Sequence, residues 1–161
     1  MTVNTLTPTA MPAAIPAAER VGTLLQATLV ELTDLALAAK HAHWNVRGPL
    51  FLPVHTQLDT LVDDLRAGAD EIAERAVAIG YSPDGRSAVI AKETPLAELG
   101  EGPLRDADVV REIAARLRQV ADAVRARVDE LADLDPVSQD LLIGQLATLD
   151  KHTWMFSAQT N

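Results

Sequence analysis

Residues 43 to 59 read "HWNVRGPLFLPVHTQLD", and "DEIAER" follows at 70 to 75. Two imidazoles, His43 and His55, therefore lie near three carboxylates, Asp59, Asp70 and Glu74. Imidazole nitrogen combined with carboxylate oxygen is a donor set for Fe, Zn or Mn, and residue type alone does not choose among them. The chain has no cysteine, so thiolate sites, iron–sulfur clusters, disulfides and thiol catalysis are excluded. Whether the five donors can meet depends on the elements that carry them.

Apolar periodicity predicts four long helices. Val21, Leu24, Leu25, Leu32 and Leu35 define the first, from Glu19 to about Val46. "RGPLFLP" breaks it, and Pro53 suits the first turn of the second, where a missing N–H leaves nothing unpaired. The second carries Val54, Leu58, Leu61, Leu65, Ile72 and Ala76, with Gly80 as its stop. A long connection follows, with room for a short helix at Pro95–Leu99. Asp106 is expected to cap the third helix, whose stripe is Val109, Val110, Ile113, Leu117, Val120, Val124 and Val128. Asp135 and Pro136 read as the N-cap and first residue of a fourth, running to about Ser157. The fold class is all-α: a ferritin-like four-helix bundle over residues 19–158 with one long crossover between helices two and three. Residues 1–18, without a charged side chain and with three prolines, read as a mobile tail.

Helical geometry restricts the metal ligands. At about 100° per residue, His55, Asp59, Asp70 and Glu74 share one face of helix two, beside the face that packs into the bundle. Asp59 and Asp70 are nevertheless about 16 Å apart along the axis, too far for one ion with bonds of about 2.0–2.6 Å. Two copies of helix two packed antiparallel about a two-fold axis solve both problems. The midpoint of the four positions lies between Asp64 and Leu65. Pairing there sets His55 and Asp59 of one copy against Glu74 and Asp70 of the other, with His43 closing the site. Asp63 and Arg66, symmetric about that midpoint, should then meet as reciprocal ion pairs.

The residues "KHAHWNVRGPLFLPVHTQLD" and "DEIAERAVAIG", with looser likeness in "TPLAEL" and "LDKHTWMF", closely resemble the Dps family of mini-ferritins. What the resemblance implies is a hollow homododecamer with ferroxidase sites at its two-fold interfaces. The family's ligands fall on His43, His55 and Asp59, with Asp70 and Glu74 supplied by the neighbouring subunit. It further implies oxidation of Fe(II), typically with hydrogen peroxide and otherwise with oxygen, storage of ferric mineral, and protection against oxidative stress. Trp44 resembles the family's site-adjacent tryptophan, a radical-intercepting electron source or a packing anchor, and Trp154 suits either role. The family's acidic iron-entry pore falls best on Asp140, with Asp129 and Asp135 as weaker matches. His41 reads as an ordinary residue or a secondary iron contact, and His152 as a surface or packing residue.

Composition constrains partners. Fourteen Lys and Arg against 23 Asp and Glu give a net charge of −9, the wrong sign for general attraction to phosphates. DNA-binding members of the family generally use a Lys/Arg-bearing tail, whereas this sequence has neither residue before Arg20, so no DNA binding is expected. No uninterrupted apolar run or charged leader suggests a membrane span or a signal peptide, which makes the cytoplasm the expected location. Two other functions carry distinct signatures. A metal-dependent hydrolase of the amide class would use the same ligands to acidify water. A DNA-compacting protein would need clustered cations.

Overall fold

The chain is described by a computed structural model covering residues 15–159. The first fourteen residues of the expected tail lie outside that range.

Helix α1 (Ala18–Asn45) is followed by the two-residue strand β1 (Val46–Arg47) and helix α2 (Phe51–Ala78). The short helix α3 (Ser87–Glu93) and strand β2 (Leu104–Arg105) lie in the crossover, and α4 (Asp106–Leu131) and α5 (Pro136–Ser157) complete the chain. The apolar stripes of α1 and α2 are buried throughout, and that of α4 is buried except at its last member, Val128, which is half-buried. On α5 the inward line is Ser138, Leu142, Leu149, His152 and Phe156. By length and composition α1 could cross a membrane, but 67% of its most apolar stretch is buried inside the bundle. Its apolar face is the core.

Polar contacts fix how the helices run. Arg20 near the start of α1 meets Glu130 near the end of α4, and Arg75 near the end of α2 meets Asp135 at the start of α5. Both pairs of helices are therefore antiparallel. Between α1 and α4, Arg127 donates two bonds to Glu31 at 2.6 and 2.7 Å, with both side chains largely buried. Such bidentate geometry compensates the desolvation of two charges. Gly80 ends α2 as expected, at φ 88°. Its N–H donates to Val77 O and the next N–H to Ala76 O, the pair of bonds a left-handed terminus supplies.

Two local expectations are corrected. The short crossover helix is Ser87–Glu93, upstream of Pro95–Leu99. Thr94 precedes proline and is extended, at φ −61° and ψ 132°, because a following proline disfavours the helical region. Its hydroxyl donates to Asp34 on α1 instead. Asp106 is the first residue of α4, not its cap. One carboxylate oxygen accepts from Ala107 N, and the other accepts from Leu50 N at the entrance to α2. The crossover also carries the parallel pairing of Val46 with Leu104 and Arg47 with Arg105, which two-residue strands cannot announce by alternation. The crossover is also held by Arg116, buried on α4, which donates to the carbonyls of Ala97 and Glu98.

Asp135 is the N-cap of α5, accepting from Ser138 N, and it also accepts from Arg75 at 2.6 Å. Burial pushes its carboxyl up, but the Arg75 and Ser138 hydrogen bonds and the Arg75 charge together outweigh that and hold it below its ordinary value. Replacing it with Ala removes a cap and strands Arg75, so Asp135→Ala should cost about 3 kcal/mol. A carboxyl with a depressed folded-state value stabilises above its unfolded value of about 4 and loses that contribution as pH falls through the folded value. The gap between wild type and variant in urea unfolding, at matched protein concentration, should be full at pH 7 and close below about pH 4. A gap under about 1 kcal/mol at pH 7 would remove Asp135 from this role.

Candidate metal centre

His43 is one turn from the end of α1 and His55 is in the second turn of α2. Only a tight connection brings them together. Gly48 sits in it at φ 138°, and a Cβ there would lie 2.4 Å from the Asp106 carboxyl. The same carboxylate accepts from Leu50 N, so backbone freedom and an acidic anchor jointly set the angle between the helices.

The histidines then secure each other. His43 Nδ1 donates to the carbonyl of His55 at 2.9 Å, and His55 Nδ1 donates to the carbonyl of His43 at 2.9 Å. Their rings stack with centroids 3.6 Å apart. A carbonyl can only accept, so each Nδ1 carries the hydrogen and each Nε2 keeps its lone pair. That is the tautomer a metal requires, fixed by a backbone partner as metal-binding histidines commonly are.

Asp59 completes a three-residue cluster with ligand atoms all within 4.8 Å of one another. One ion could touch all three with ordinary bond lengths. His43 is buried, at 6% exposure, whereas His55 and Asp59 are half-exposed. Trp44, Arg47 and Phe51 rim an open recess of about 410 Å³ over the imidazoles. Trp44 is 64% exposed and so is not an anchor within the chain.

Asp70 and Glu74 do not join this cluster. Both are exposed on α2, and neither has a hydrogen bond or ion pair among the described residues. Asp63 and Arg66 are likewise exposed and unpaired there. Of the three pore candidates, Asp129 and Asp140 are exposed, whereas Asp135 is 6% exposed and bound to Arg75 and Ser138. Asp135 is therefore unsuited to lining a channel. His41 Nε2 donates to Gly100 O at 3.1 Å, a tie to the crossover. His152 is buried and bonded to Asp64 at 2.8 Å, a packing residue with a partner from another helix. Trp154 is exposed.

Lys40 escaped the sequence reading. Its ammonium lies 2.5 Å from Asp59 Oδ1, the oxygen that also sits 3.3 Å from His43 Nδ1. The Lys40 hydrogen bond holds the Asp59 carboxyl below its ordinary value against the opposing effect of desolvation, and the Lys40 charge adds to it. The only signal was spacing: Lys40 is three residues before His43, hence on the same side of α1. Chemically the ammonium competes with any cation for Asp59. In a water-like medium, one positive charge removed at about 5 Å is worth about ten-fold in binding a divalent ion. Lys40→Gln should tighten Zn(II) or Co(II) by about that factor in calorimetric titration, and weaker binding would refute the competition.

The ferritin-like domain family model matches residues 23–161. The chain is 39% identical over 145 residues to a DNA protection during starvation protein of Mycolicibacterium smegmatis, covering 88% of this chain and 77% of the relative. It is also 39% identical over 134 residues to the fine tangled pili major subunit of Haemophilus ducreyi, covering 83% and 71%. Among solved structures it is similar to the tetragonal form of Mycobacterium smegmatis Dps, with TM-score 0.88, 35% identity and coverage of 96% and 94%. Dps from Microbacterium arborescens in the high iron form gives TM-score 0.88 and 31% identity, with coverage of 93% and 98%. Bundle, crossover and sequence agree: the chain belongs to the ferritin-like domain family and, within it, to the Dps mini-ferritins, whose general work is iron storage and protection against oxidative damage.

Proposed function

We propose that this protein is a ferroxidase that oxidises Fe(II), with hydrogen peroxide as the main oxidant and oxygen as the slower one. Its ferric product is stored inside a homododecameric shell. The observation that carries the reading is the pair of imidazoles with both Nδ1 hydrogens held by backbone carbonyls, which leaves both Nε2 atoms free to bind a metal, in a cluster with Asp59 whose ligand atoms lie within 4.8 Å of one another. Nitrogen and carboxylate ligands with open positions suit Fe(II) and its oxidation. One peroxide accepts an electron from each of two Fe(II) ions, and hydrolysis of Fe(III) to oxyhydroxide releases protons to solvent.

The site is completed by a second copy of the chain. Asp70 and Glu74 are exposed and unpaired on the helix that holds His55 and Asp59, and an antiparallel α2 would bring them to the cluster. Trp44, Leu50, Phe51 and Leu52 expose apolar surface around the recess, which supports coverage of this end by protein. Trp44 would then lie beside the reacting iron. Asp140 and Asp129 are the proposed lining of an iron-entry pore, as exposed carboxylates without partners among the described residues. The cytoplasm is the proposed location.

A shared site makes a genetic-complementation prediction. Asp59→Ala and Glu74→Ala assemblies should each oxidise Fe(II) at less than about a tenth of the wild-type rate, given losses of order ten- to a hundred-fold for damaged metal sites. Mixed assemblies should regain activity, because pairing the two variants rebuilds one intact site opposite one doubly damaged one. Stopped-flow absorbance after anaerobic Fe(II) and peroxide addition reads this directly. No recovery in verified mixed assemblies would defeat the antiparallel arrangement.

The same proposal includes the lack of DNA binding. Arg111, Arg116, Arg125 and Arg127 of α4 are each paired with a carboxylate, which leaves no cluster of free cations on that helix. Phosphate neutralisation needs several such cations together. Plasmid mixed with the assembled protein at about 50 mM salt, a condition that favours electrostatic binding, should migrate unchanged. A mobility shift without divalent metal would overturn this part of the proposal.

A further inference from the structure

The turn that joins the two imidazole-bearing helices is held by an acidic side chain from elsewhere in the chain. Asp106 is the first residue of α4, is 7% exposed, and has no cation partner among the described residues. Its carboxylate accepts from Leu50 N at 2.6 Å and from Ala107 N at 2.8 Å. Leu50 is the N-cap residue of α2 and has no side-chain cap of its own. The anion thus lies between the N-terminal ends of two long helices, whose positive partial charges offset its desolvation.

The neighbouring backbone extends this clamp. Val46 pairs with Leu104 and Arg47 with Arg105, so residues 46–50 are held against 104–106 on both sides of Gly48. The Asp106 carboxyl also occupies the space that a Cβ at Gly48 would need. His43 is three residues before Val46, and His55 is five residues after Leu50. At 1.5 Å per residue, His55 lies about 7.5 Å along α2 from the clamped N–H. A tilt of about 10° at Leu50 would move it by about 1 Å, beyond the roughly 0.5 Å within which ligands must be held. Burial of Val54 and Leu58 decides which face of α2 turns inward, but apolar contact is non-directional. The hydrogen bond to Leu50 N supplies direction.

We propose that Asp106 is a positioning residue of the metal centre, acting through Leu50 and the turn at Gly48 to set the reach of His43 and His55. The proposal rests on the metal-centre reading above. It makes the last residues of the crossover and the first of α4 part of the apparatus that aims the ligands.

Co(II) is the probe, titrated into the assembled full-length protein and followed by its visible absorption, which reports ligand geometry. Asp106→Ser keeps a hydroxyl that suits the start of a helix but is too short to reach Leu50 N. It should weaken Co(II) binding by at least about ten-fold, the scale for residues that orient metal ligands, and shift the absorption band. Asp106→Asn, which keeps one oxygen for Leu50 N but loses the charge, should fall between Asp106→Ser and wild type. Thr94→Val removes a different tie between the crossover and α1, the bond to Asp34. It should bind Co(II) with wild-type affinity and spectrum. Wild-type affinity and spectrum in either assembled Asp106 variant would overturn the proposal. An equal loss in Thr94→Val would do so too, by marking a general loosening of the crossover. Failure of both Asp106 variants to assemble would make Asp106 a residue of folding rather than of positioning, and would likewise overturn it. Wild-type protein that binds no Co(II) would instead defeat the metal-centre reading, and this proposal with it.

Discussion

Two imidazole rings can present Nε2 to a metal only when their Nδ1 hydrogens have somewhere else to go. Here each ring donates to the backbone carbonyl of the other's residue, so His43 and His55 form a reciprocal clasp across the junction of α1 and α2. The clasp demands that the last turn of one helix and an early turn of the next lie side by side at one separation. Much of the surrounding structure meets that demand. Gly48 gives the chain its turn, Asp106 holds the N–H of Leu50, and β1 is stitched to β2 across the crossover. A loss at any of these would alter the reach of both rings together.

The long crossover is the price of this arrangement, since it must run from the end of α2 to the start of α4 with little core of its own. It is retained by the burial of Ile90 and Leu96 and by polar ties: Gln26 with Asp84, Thr94 with Asp34, His41 with Gly100, and Arg116 with two carbonyls. Arg116 is buried, so its bonds to the two carbonyls chiefly avert the penalty, on the order of 1–3 kcal/mol, of a buried donor left unpaired. Arg116 is buried among them with its charge balanced by Glu112, which explains an arginine on the inward side of α4.

Periodic features were legible in the sequence, and single contacts between distant segments were not. The stripes of α1, α2 and α4 lie inside because 3.6-residue spacing leaves them no alternative. Asp135 and Pro136 carried a start signal, and Gly80 a stop signal, that depend only on neighbouring backbone. His43, His55 and Asp59 were recoverable because two of them share a helix face and the third ends the preceding helix. The role of Asp106 was misread since an aspartate before a helical run is usually a cap, whereas its second oxygen serves a segment 56 residues away. Lys40 sits on the proper side of α1, but nothing in its spacing distinguishes an ion pair from a solvated charge. His152 seemed isolated for the same reason: its partner, Asp64, is 88 residues distant.

On the proposed shared-site reading, one chain supplies three of five ligands in one place, and that division is physically useful. Three of the five expected ligands gather within a single subunit, whereas Asp70 and Glu74 stand unpaired among the described residues, about three and four turns beyond Asp59 along the helix. Bringing four or five donors together in one chain would crowd carboxylates whose mutual repulsion no metal yet relieves. Lys40 shows how the lone carboxylate of the cluster is managed instead: an internal cation neutralises Asp59 until an external one competes for it. Under the shared-site reading, assembly itself adds the remaining negative charge, so the cluster gains its attraction for Fe(II) only where a second subunit is present. Oxidation is then confined to assembled protein, where the ferric product has an enclosed place to go, and the isolated chain is a poor catalyst by construction.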